Sequence, residues 1–375
     1  MAQLEPGLKT EDLTINMGPQ HPSTHGVLRI QMVTDGEIVK KVTPYIGYLH
    51  RCFEKHSENV DYMGVMPYVD RLDYVASMNN DMTYAMAVEK LGGYQVPERA
   101  QYIRVIMAEL NRIASHLLAL GTYGLDVGAF TPFMWCFRDR EKVLDIFEQV
   151  CGARLLYNYM FIGGVSHDLT PSMIEDIKEF CDYFEPKIDD LNQLLSYNQI
   201  FVERTANVGV IPLDVAISYG LTGPNLRGSG KKWDLRKNMP YSLYDRFDFD
   251  VPVGRGERGT VGDCWDRYMV RVREMGESLK IVRQAVAALP PGEIRAKLRL
   301  IKPPAGEIYF RTDNPRGELG FYIVSDGTPK PYRVKCKSPC FTSISILSEI
   351  SPGCMVADLV AIIGSIDVVM GEVDR

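Results

Sequence analysis

The densest group of side chains that could do chemistry lies in one short loop. Residues 18–26 read GPQHPSTHG and carry two imidazoles, His21 and His25, four positions apart. Histidines at this spacing would share one face of a helix and could bind zinc, but the proline between them forbids that helix. Two interpretations remain open: the loop presents one or both rings to a cavity, or the histidines bond local backbone groups. Because imidazole titrates near pH ~6.5, the first would suit proton transfer.

A phenol opens the next segment of interest. Tyr74 precedes a stretch in which Met78, Met82 and Met86 recur at helical spacing. Such a stripe is typical of core packing by adaptable methionines, and this is the favoured interpretation. The alternative is an apolar wall beside a phenol and an imidazole, which would suit a flat, apolar ligand with polar carbonyls.

A single carboxylate interrupts a long apolar stretch. Asp126 is the only Asp, Glu, Lys or Arg between Leu117 and Arg138. A carboxylate in such surroundings is unfavourable unless it is paired or protonated. We therefore expect Asp126 to have a buried partner or to border a cavity, and a histidine would serve as that partner. His116 is the nearest in sequence, but it is expected to be a hydrogen-bonded core imidazole.

Other familiar signatures are absent or coincidental. Residues 254–259 read GRGERG and match the letters of a dinucleotide-binding loop, but residues 289–293 (LPPGE) cannot form the apolar strand that a βαβ unit needs next. No P-loop, H-E-x-x-H or G-x-S-x-G motif occurs. The eight cysteines include no C-x-x-C pair, so we interpret them as mostly buried thiols rather than zinc or iron–sulfur ligands.

Composition limits the class of protein. The chain has 375 residues, 46% of them hydrophobic and 24% charged, with a net charge of −6, so nucleic acid is not an expected partner. The N-terminal sequence lacks the layout of a secretion signal, which predicts a cytosolic protein. The apolar stretches 113–137 and 355–370 contain Asp126, Asp358 and Asp367, so neither is expected to span a membrane.

The spacing of apolar residues predicts the elements that position these side chains. Residues 27–45 alternate around an Asp-Gly turn and predict a β-hairpin, whereas the first fifteen residues are polar enough to form a loose arm. Helices are predicted at 98–120, at 132–150 with Thr131 as N-cap, at 171–198 and at 264–289, and strands at 307–311, 320–325 and 331–337.

The expected fold class is α+β, mainly α. Its parts are an N-terminal arm and β-hairpin at 1–50, a helical core at 51–300, and a small strand region at 301–375 with a C-terminal helix that returns to the core. Residues 222–262, rich in Gly, Pro and charges, are expected to form an irregular excursion packed on the helices.

Six separated stretches resemble one family. They are residues 18–28, GYLHR at 47–51, RLDY at 71–74, LDVGA at 125–129, WDLRK at 233–237 and GEVDR at 371–375. With these motifs the chain resembles, from residue 13 to its end, the quinone-site subunit of respiratory complex I. This is the 49 kDa subunit of mitochondria, called the D or H subunit in bacteria and plastids.

The resemblance implies a helical core similar to the large subunit of nickel–iron hydrogenases. A hydrogenase would carry two C-x-x-C pairs, but residues 53–135 contain no cysteine, and Val369 and Glu372 stand near the place of the last pair. Without four thiolates no nickel site is expected. The former metal cavity would then be free for a quinone head group.

The resemblance also implies roles for individual side chains. His25 and Tyr74 would contact the quinone head group, and Asp126 would hold His25. Arg51 and Arg71 would lie near the terminal iron–sulfur cluster of the adjoining subunit, with a plain interface salt bridge as their alternative role. The chain itself is expected to bind no cofactor. Two-electron reduction makes the quinone oxygens strongly basic, so a phenol and an imidazole are suitable proton donors.

The implied setting is a proton-translocating quinone reductase linked to NADH or ferredoxin. Its expected partners are the iron–sulfur B subunit, the C subunit and the membrane-arm H subunit, with the chain peripheral on the cytoplasmic face of the inner membrane. The quinone stays open between ubiquinone, menaquinone and plastoquinone. Two alternative functions are a metal-free structural scaffold and a hydrogenase-like large subunit, and the missing cysteines argue against the latter.

The chain departs from many members of that family at a few positions. Leu156 replaces a frequent His and Phe161 a frequent Arg, so the pH dependence that those groups would give the cluster is not expected here. Cys52 replaces a usual glycine. Residues 289–307 are fewer than in many relatives, which predicts that a peripheral contact is missing.

Overall fold

The computed structural model describes residues 11–24 and 26–375. The strands are β1 (Leu13–Met17), β2 (Arg29–Asp35), β3 (Ile38–Tyr45), β4 (Met160–Phe161), β5 (Gly164–Val165), β6 (Gly306–Asn314), β7 (Gly317–Ser325) and β8 (Arg333–Lys337). The helices are α1 (Phe53–Ser57), α2 (Met66–Asp70), α3 (Ser77–Gly92), α4 (Glu98–Asp126), α5 (Phe130–Cys151), α6 (Pro171–Leu191), α7 (Gln199–Thr205), α8 (Leu213–Ser218), α9 (Gly223–Gly228), α10 (Leu235–Asn238), α11 (Cys264–Ala287), α12 (Pro339–Ser345), α13 (Leu347–Ile350), α14 (Val356–Ile366) and α15 (Met370–Asp374).

An antiparallel sheet in the order β1–β2–β3 lies at the N-terminal end. The predicted hairpin is confirmed, with β2 and β3 joined by a turn at Gly36, whose φ is 59°. The predicted loose arm is wrong for its last residues, because β1 pairs with β2 from Leu13, opposite Thr34, onward. Every side chain of β1 except Met17 is exposed. Backbone pairing rather than an apolar face therefore positions most of this strand, so an apolar pattern could not reveal it.

Helix α4 forms the centre of the helical core. It is 29 residues long and packs against α3, α5, α11 and α14. Its predicted apolar positions are confirmed as core, each at most 2% exposed: Ile103, Ile106, Leu110, Ile113, Leu117 and Leu120. The predicted helices at 171–198 and 264–289 are also present, as α6 and α11, which end somewhat earlier.

The predicted start of α5 is wrong. The helix begins at Phe130, so Thr131 lies inside its first turn instead of capping it, and the N-cap is Ala129. The physical reason is the tight connection to α4: Gly128 has a φ of 96°, and the Ala129 N–H donates to the Gly124 carbonyl at 2.7 Å. This backbone turn starts the helix before a side-chain cap is needed.

A second sheet, in the order β6–β7–β8, packs on α1 and α3. The three predicted strands are present, but β6 runs on to Asn314 and meets β7 across a tight turn at residues 315 and 316. With a third, two-stranded sheet of β4 and β5, the described residues form a mainly helical α+β structure, so the predicted fold class is confirmed.

Residues 222–262, which include the short helices α9 and α10, pack on the helical core through buried ion pairs. Arg236 Nη2 lies 2.7 Å from an Asp234 oxygen, and its Nη1 lies 3.1 Å from Glu109 on α4. All three side chains are at most 1% exposed. The predicted core role of His116 is confirmed: its Nε2 lies 2.9 Å from Glu274 on α11, and burial lowers the pKa of the imidazole.

N–H groups of the GRGERG loop donate hydrogen bonds to a carboxylate of the chain itself. Asp266, in the first turn of α11, accepts hydrogen bonds from the N–H groups of Arg255, Gly256 and Gly262 at 3.3, 2.9 and 3.3 Å. In a true dinucleotide loop, N–H groups of the glycine-rich segment, here those of Arg255 and Gly256, would bind a nucleotide phosphate. Their engagement by Asp266 supports the interpretation that the motif is coincidental.

The cysteines are mostly buried thiols, as predicted. Five of the eight are buried and none forms a disulfide. Over residues 11–24 and 26–375, no three His, Cys, Asp or Glu side chains come together to hold a metal ion. None of the helices in the same ranges is long and apolar enough to cross a membrane.

Candidate functional site

Tyr74 and Asp126 line the same cavity. It has a volume of about 250 Å³ and lies between the turn that precedes α3, the end of α4 and the segment that follows α14. Its apolar lining comes from Val75, Leu118, Leu125, Val368 and Val369. Met78 and Met82 instead lie in the core, at most 2% exposed, so the packing interpretation of the methionine stripe is confirmed.

Tyr74 is fixed by the C-terminal segment. It lies in the turn between α2 and α3, and its ring packs directly on Gly371, where a Cβ atom would come within 3.2 Å of ring carbons. Burial raises the pKa of the Tyr74 phenol, neighbouring Asp73 adds to this, and Arg316 opposes it. The phenol therefore holds its proton firmly at neutral pH and can act as a hydrogen-bond donor.

Asp126 ends α4 at the rim of the cavity. Burial raises the pKa of its carboxyl group to about 6, and a hydrogen bond from the Ser23 side chain partly offsets the rise. The position at a helix C-terminus also disfavours a negative charge. Asp126 can therefore change its protonation state near neutral pH in response to a nearby charge.

The loop 18–26 packs beside Asp126. Gly18 allows a close backbone contact, since a Cβ there would lie 2.1 Å from the Leu28 carbonyl oxygen and its φ is 83°. Thr24 donates to the His21 carbonyl at 2.8 Å and is fully buried. His21 is exposed, and its Nδ1 accepts the Ser23 N–H at 3.2 Å, so this imidazole bonds local backbone. His25 lies outside the described residues, and its predicted place beside Asp126 stays a prediction.

Sequence reasoning missed a buried ion group that borders the cavity. Arg316 Nη1 lies 2.8 Å from Asp73, and its Nη2 lies 3.1 Å from Asp367. Arg316 and Asp367 line the cavity, and all three side chains are at most 3% exposed. The signal in the sequence is Asp367, an isolated carboxylate in the apolar stretch 355–370.

Arg51 and Arg71 lie together, next to the C-terminal segment. Arg51 Nη2 donates to the Arg71 carbonyl at 2.7 Å and approaches the Gly371 carbonyl at 3.4 Å. Arg71 donates to the Pro67 carbonyl at 2.8 Å and lies 3.6 Å from Asp70. Burial, and the charge of Arg71, lower the pKa of Arg51. Gly371 contacts Arg51 and Tyr74, so the two arginines lie near the phenol.

The motifs at 47–51 and 371–375 bind each other. The Asp374 carboxylate accepts the N–H groups of Gly47 and Leu49 at 2.8 and 2.7 Å, and the Asp374 carbonyl lies 2.6 Å from His50 Nδ1. The Arg51 N–H donates to the Arg375 carbonyl at 3.1 Å. This mutual hydrogen bonding gives a structural reason why both motifs occur in one chain.

The departures at Leu156 and Phe161 have local consequences. Leu156 has a φ of 59°, a conformation that is uncommon for a leucine. Phe161 lies under the guanidinium of Arg295, 5.4 Å from the ring centre. A positive charge is thus still present beside position 161, although it comes from another part of the chain. Cys52 has a φ of 54°, a conformation that a glycine would adopt more easily.

We expect Asp126→Asn to stabilise the isolated chain at neutral pH. The pKa of this carboxyl group is about 6 in the folded protein, against an ordinary 3.8. The folded protein therefore loses stability as the pH rises from 3.8 through 6. Asn does not ionise, so the variant avoids this loss. After allowing for partial exposure, its free energy of unfolding should exceed that of the wild type by about 1–2 kcal/mol above pH 7 and equal it below pH ~4. Urea unfolding at both pH values measures it. A gain that is equal at pH 4 and pH 8 would contradict this origin.

Comparison with known proteins assigns the family. A family model described as the 49 kDa subunit of respiratory-chain NADH dehydrogenase matches residues 126–304 and 297–375. The NADH-quinone oxidoreductase D subunit of Pelodictyon phaeoclathratiforme is 56% identical over 377 residues, which cover 99% of this chain and 94% of the relative. The D subunit of Chlorobaculum tepidum is 55% identical with the same coverage.

These matches show that the chain is a subunit of a respiratory NADH dehydrogenase. The chain belongs to the family of its 49 kDa subunits, as the resemblance predicted. It is accordingly a subunit of an NADH:quinone oxidoreductase, complex I, and other subunits of that complex are its partners.

Proposed function

We propose that the cavity between Tyr74 and Asp126 receives the quinone head group and that this chain protonates the reduced quinone. The observation that carries the proposal is that these two residues, far apart in the chain, line one cavity of about 250 Å³. A cavity of ~150 Å³ is enough to hold benzene, so this volume suits one substituted ring. The apolar wall of Val75, Leu118 and Leu125 fits the ring faces.

The chemistry follows from the groups at the cavity. Two electrons, supplied by the partner subunit's cluster, make both quinone oxygens basic, and two protons complete the quinol. Tyr74 donates to one oxygen and His25 to the other, which leaves a phenolate and a neutral imidazole. Asp126, beside the loop that carries His25, stabilises the charged imidazole before transfer and loses that compensation afterwards. The resulting charge imbalance is the signal to the proton-translocating membrane subunits.

Electron entry is proposed at Arg51 and Arg71. These cations lie near Tyr74 around Gly371, and Arg51 forms no ion pair within 4 Å in the described part of the chain. Positive charge beside an iron–sulfur cluster raises its potential and eases electron arrival. We infer that the B subunit carries the cluster here, that the C and H subunits are further neighbours, and that the chain is peripheral on the cytoplasmic face of the inner membrane.

Photolabelling in the assembled complex tests quinone binding. An azido-quinone should label peptides that contain Val75 and residues 118–126, and excess unlabelled quinone should suppress the label. Thr122→Trp places an indole in the cavity and should lower labelling about tenfold, a change of ~1.4 kcal/mol in binding. Thr131→Trp, on the exposed start of α5, is the matched control and should leave labelling unchanged.

The outcome separates the proposed role from a scaffold. A purely structural subunit would show diffuse labelling that unlabelled quinone does not suppress. Equal labelling in the Thr122 and Thr131 variants would also reject the cavity as the binding place.

A further inference from the structure

One buried acid near the site has no role in the chemistry described so far. Glu372, in α15, is 1% exposed. The backbone N–H and the thiol of Cys340 in α12 both bond its carboxyl group. Its Oε2 finds no further partner among the residues that the structure describes. A buried carboxyl with so few donors is poorly suited to carry a negative charge.

Glu372 and Tyr74 are connected through shared neighbours. The residue before it, Gly371, supports the Tyr74 ring, and a Cβ at Gly371 would approach the ring carbons to 3.2 Å. Cys340, which bonds Glu372, is also close enough to raise the pKa of Tyr74. Asp73, Arg316 and Cys340 act on both Tyr74 and Glu372, so the two side chains share the same charged surroundings.

Among residues 11–24 and 26–375, the cation that acts on Glu372 is Arg316, which is shared with other carboxylates. The groups that act on it are Asp73 from the turn before α3, Arg316 from the β6–β7 turn, Cys340 on α12 and Cys336 on β8. Arg316 is already bonded to two carboxylates, Asp73 and Asp367. Burial, followed by the charge of Asp73, raises the pKa of Glu372 to about 8.

We propose that Glu372 is a positioning residue that stays protonated during turnover, and that its neutral state lets Tyr74 give its proton to the reduced quinone. This inference rests on the proposed function. When Tyr74 donates, its O–H bond breaks, a quinone O–H bond forms, and a phenolate remains until a proton from water restores it. A carboxylate at 372 would place a second negative charge beside that phenolate and oppose the transfer.

The test is the pH profile of quinone reduction in the assembled complex, divided by the rate with an artificial electron acceptor. The wild-type ratio should fall about tenfold between pH 7 and pH 9, because a group with a pKa of about 8 loses its proton there. Glu372→Gln, which cannot ionise, should show a clearly smaller fall than the wild type, and the part that remains is due to His25, which donates as a charged imidazole. Glu318→Gln, another buried glutamate, paired with Arg311 and Lys337, is the control and should keep the wild-type fall.

A second variant decides the question even if Glu372→Gln fails to assemble. In Cys340→Ser a hydroxyl, a stronger donor than a thiol, would stabilise the carboxylate and move the fall to lower pH. An unchanged alkaline fall in either variant overturns the role of Glu372. If Tyr74→Phe abolishes quinone reduction but both variants keep the wild-type profile, this inference alone fails. Full quinone turnover in Tyr74→Phe would instead reject the proposed function.

Discussion

Replacing Tyr74 with Phe should lower quinone reduction by the assembled complex about 10²-fold, the usual contribution of a positioned proton donor. The ring still packs on Gly371, so the cavity keeps its shape while the hydroxyl is lost. Electron transfer to an artificial acceptor that reacts upstream of the cavity should keep its wild-type rate. Steady-state assays with both acceptors on the same preparation measure the two effects.

Tyr68→Phe provides the matched control for this experiment. Tyr68 lies on α2, partly exposed and stacked on His56, and does not border the cavity. It should retain both activities. Loss of both activities in Tyr74→Phe would indicate failed assembly, whereas unchanged quinone turnover would show that the phenol donates no proton in the rate-limiting step.

Replacing Arg236 with Leu should destabilise the isolated chain by about 3–5 kcal/mol at pH 7. The guanidinium helps to compensate two buried carboxylates: Arg112 and Arg236 hold the pKa of Glu109 at about 2, and Arg236 and Arg227 hold that of Asp234 at about 2. Their stabilisation is present above the ordinary values of 4.5 and 3.8 and is lost as the pH falls through about 2. The loss of stability caused by Arg236→Leu should therefore be smaller at acidic pH. Urea unfolding at pH 7 and pH 3 measures it.

Arg246→Leu is the control that shows whether burial makes the ion pairs of Arg236 important. Arg246 pairs with Glu98 at 2.5 Å, but both side chains are about half exposed. An exposed pair contributes about 0–1 kcal/mol, so this variant should unfold almost like the wild type. Similar losses for Arg236 and Arg246 would contradict the importance of burial.

Much of the fold was predictable because helix periodicity depends on local sequence. The apolar spacing of α4 needs no long-range partner to be recognised, and the β2–β3 hairpin is specified by its own turn. The features that were predicted wrongly depend on backbone contacts with distant or adjoining elements. Strand β1 exposes its side chains and is held by pairing, and the start of α5 is set by the bend after α4.

The candidate site was only partly predictable for a related reason. Tyr74 and Asp126 were identified from their motifs, but nothing in the local sequence indicates that Arg316 would lie between Asp73 and Asp367. These residues come from three distant segments that meet only in the folded chain. A buried charge is visible in sequence as an isolated polar residue, whereas its partner is not.

The most direct test of the proposed function is a structure of the assembled complex with its native quinone bound. We expect one carbonyl oxygen of the head group within about 3.2 Å of the Tyr74 hydroxyl, inside the cavity bordered by Asp126. The His25 ring should approach the opposite carbonyl. A head group bound outside this cavity, or the rings of Tyr74 and His25 on different sides of the subunit, would contradict the proposal.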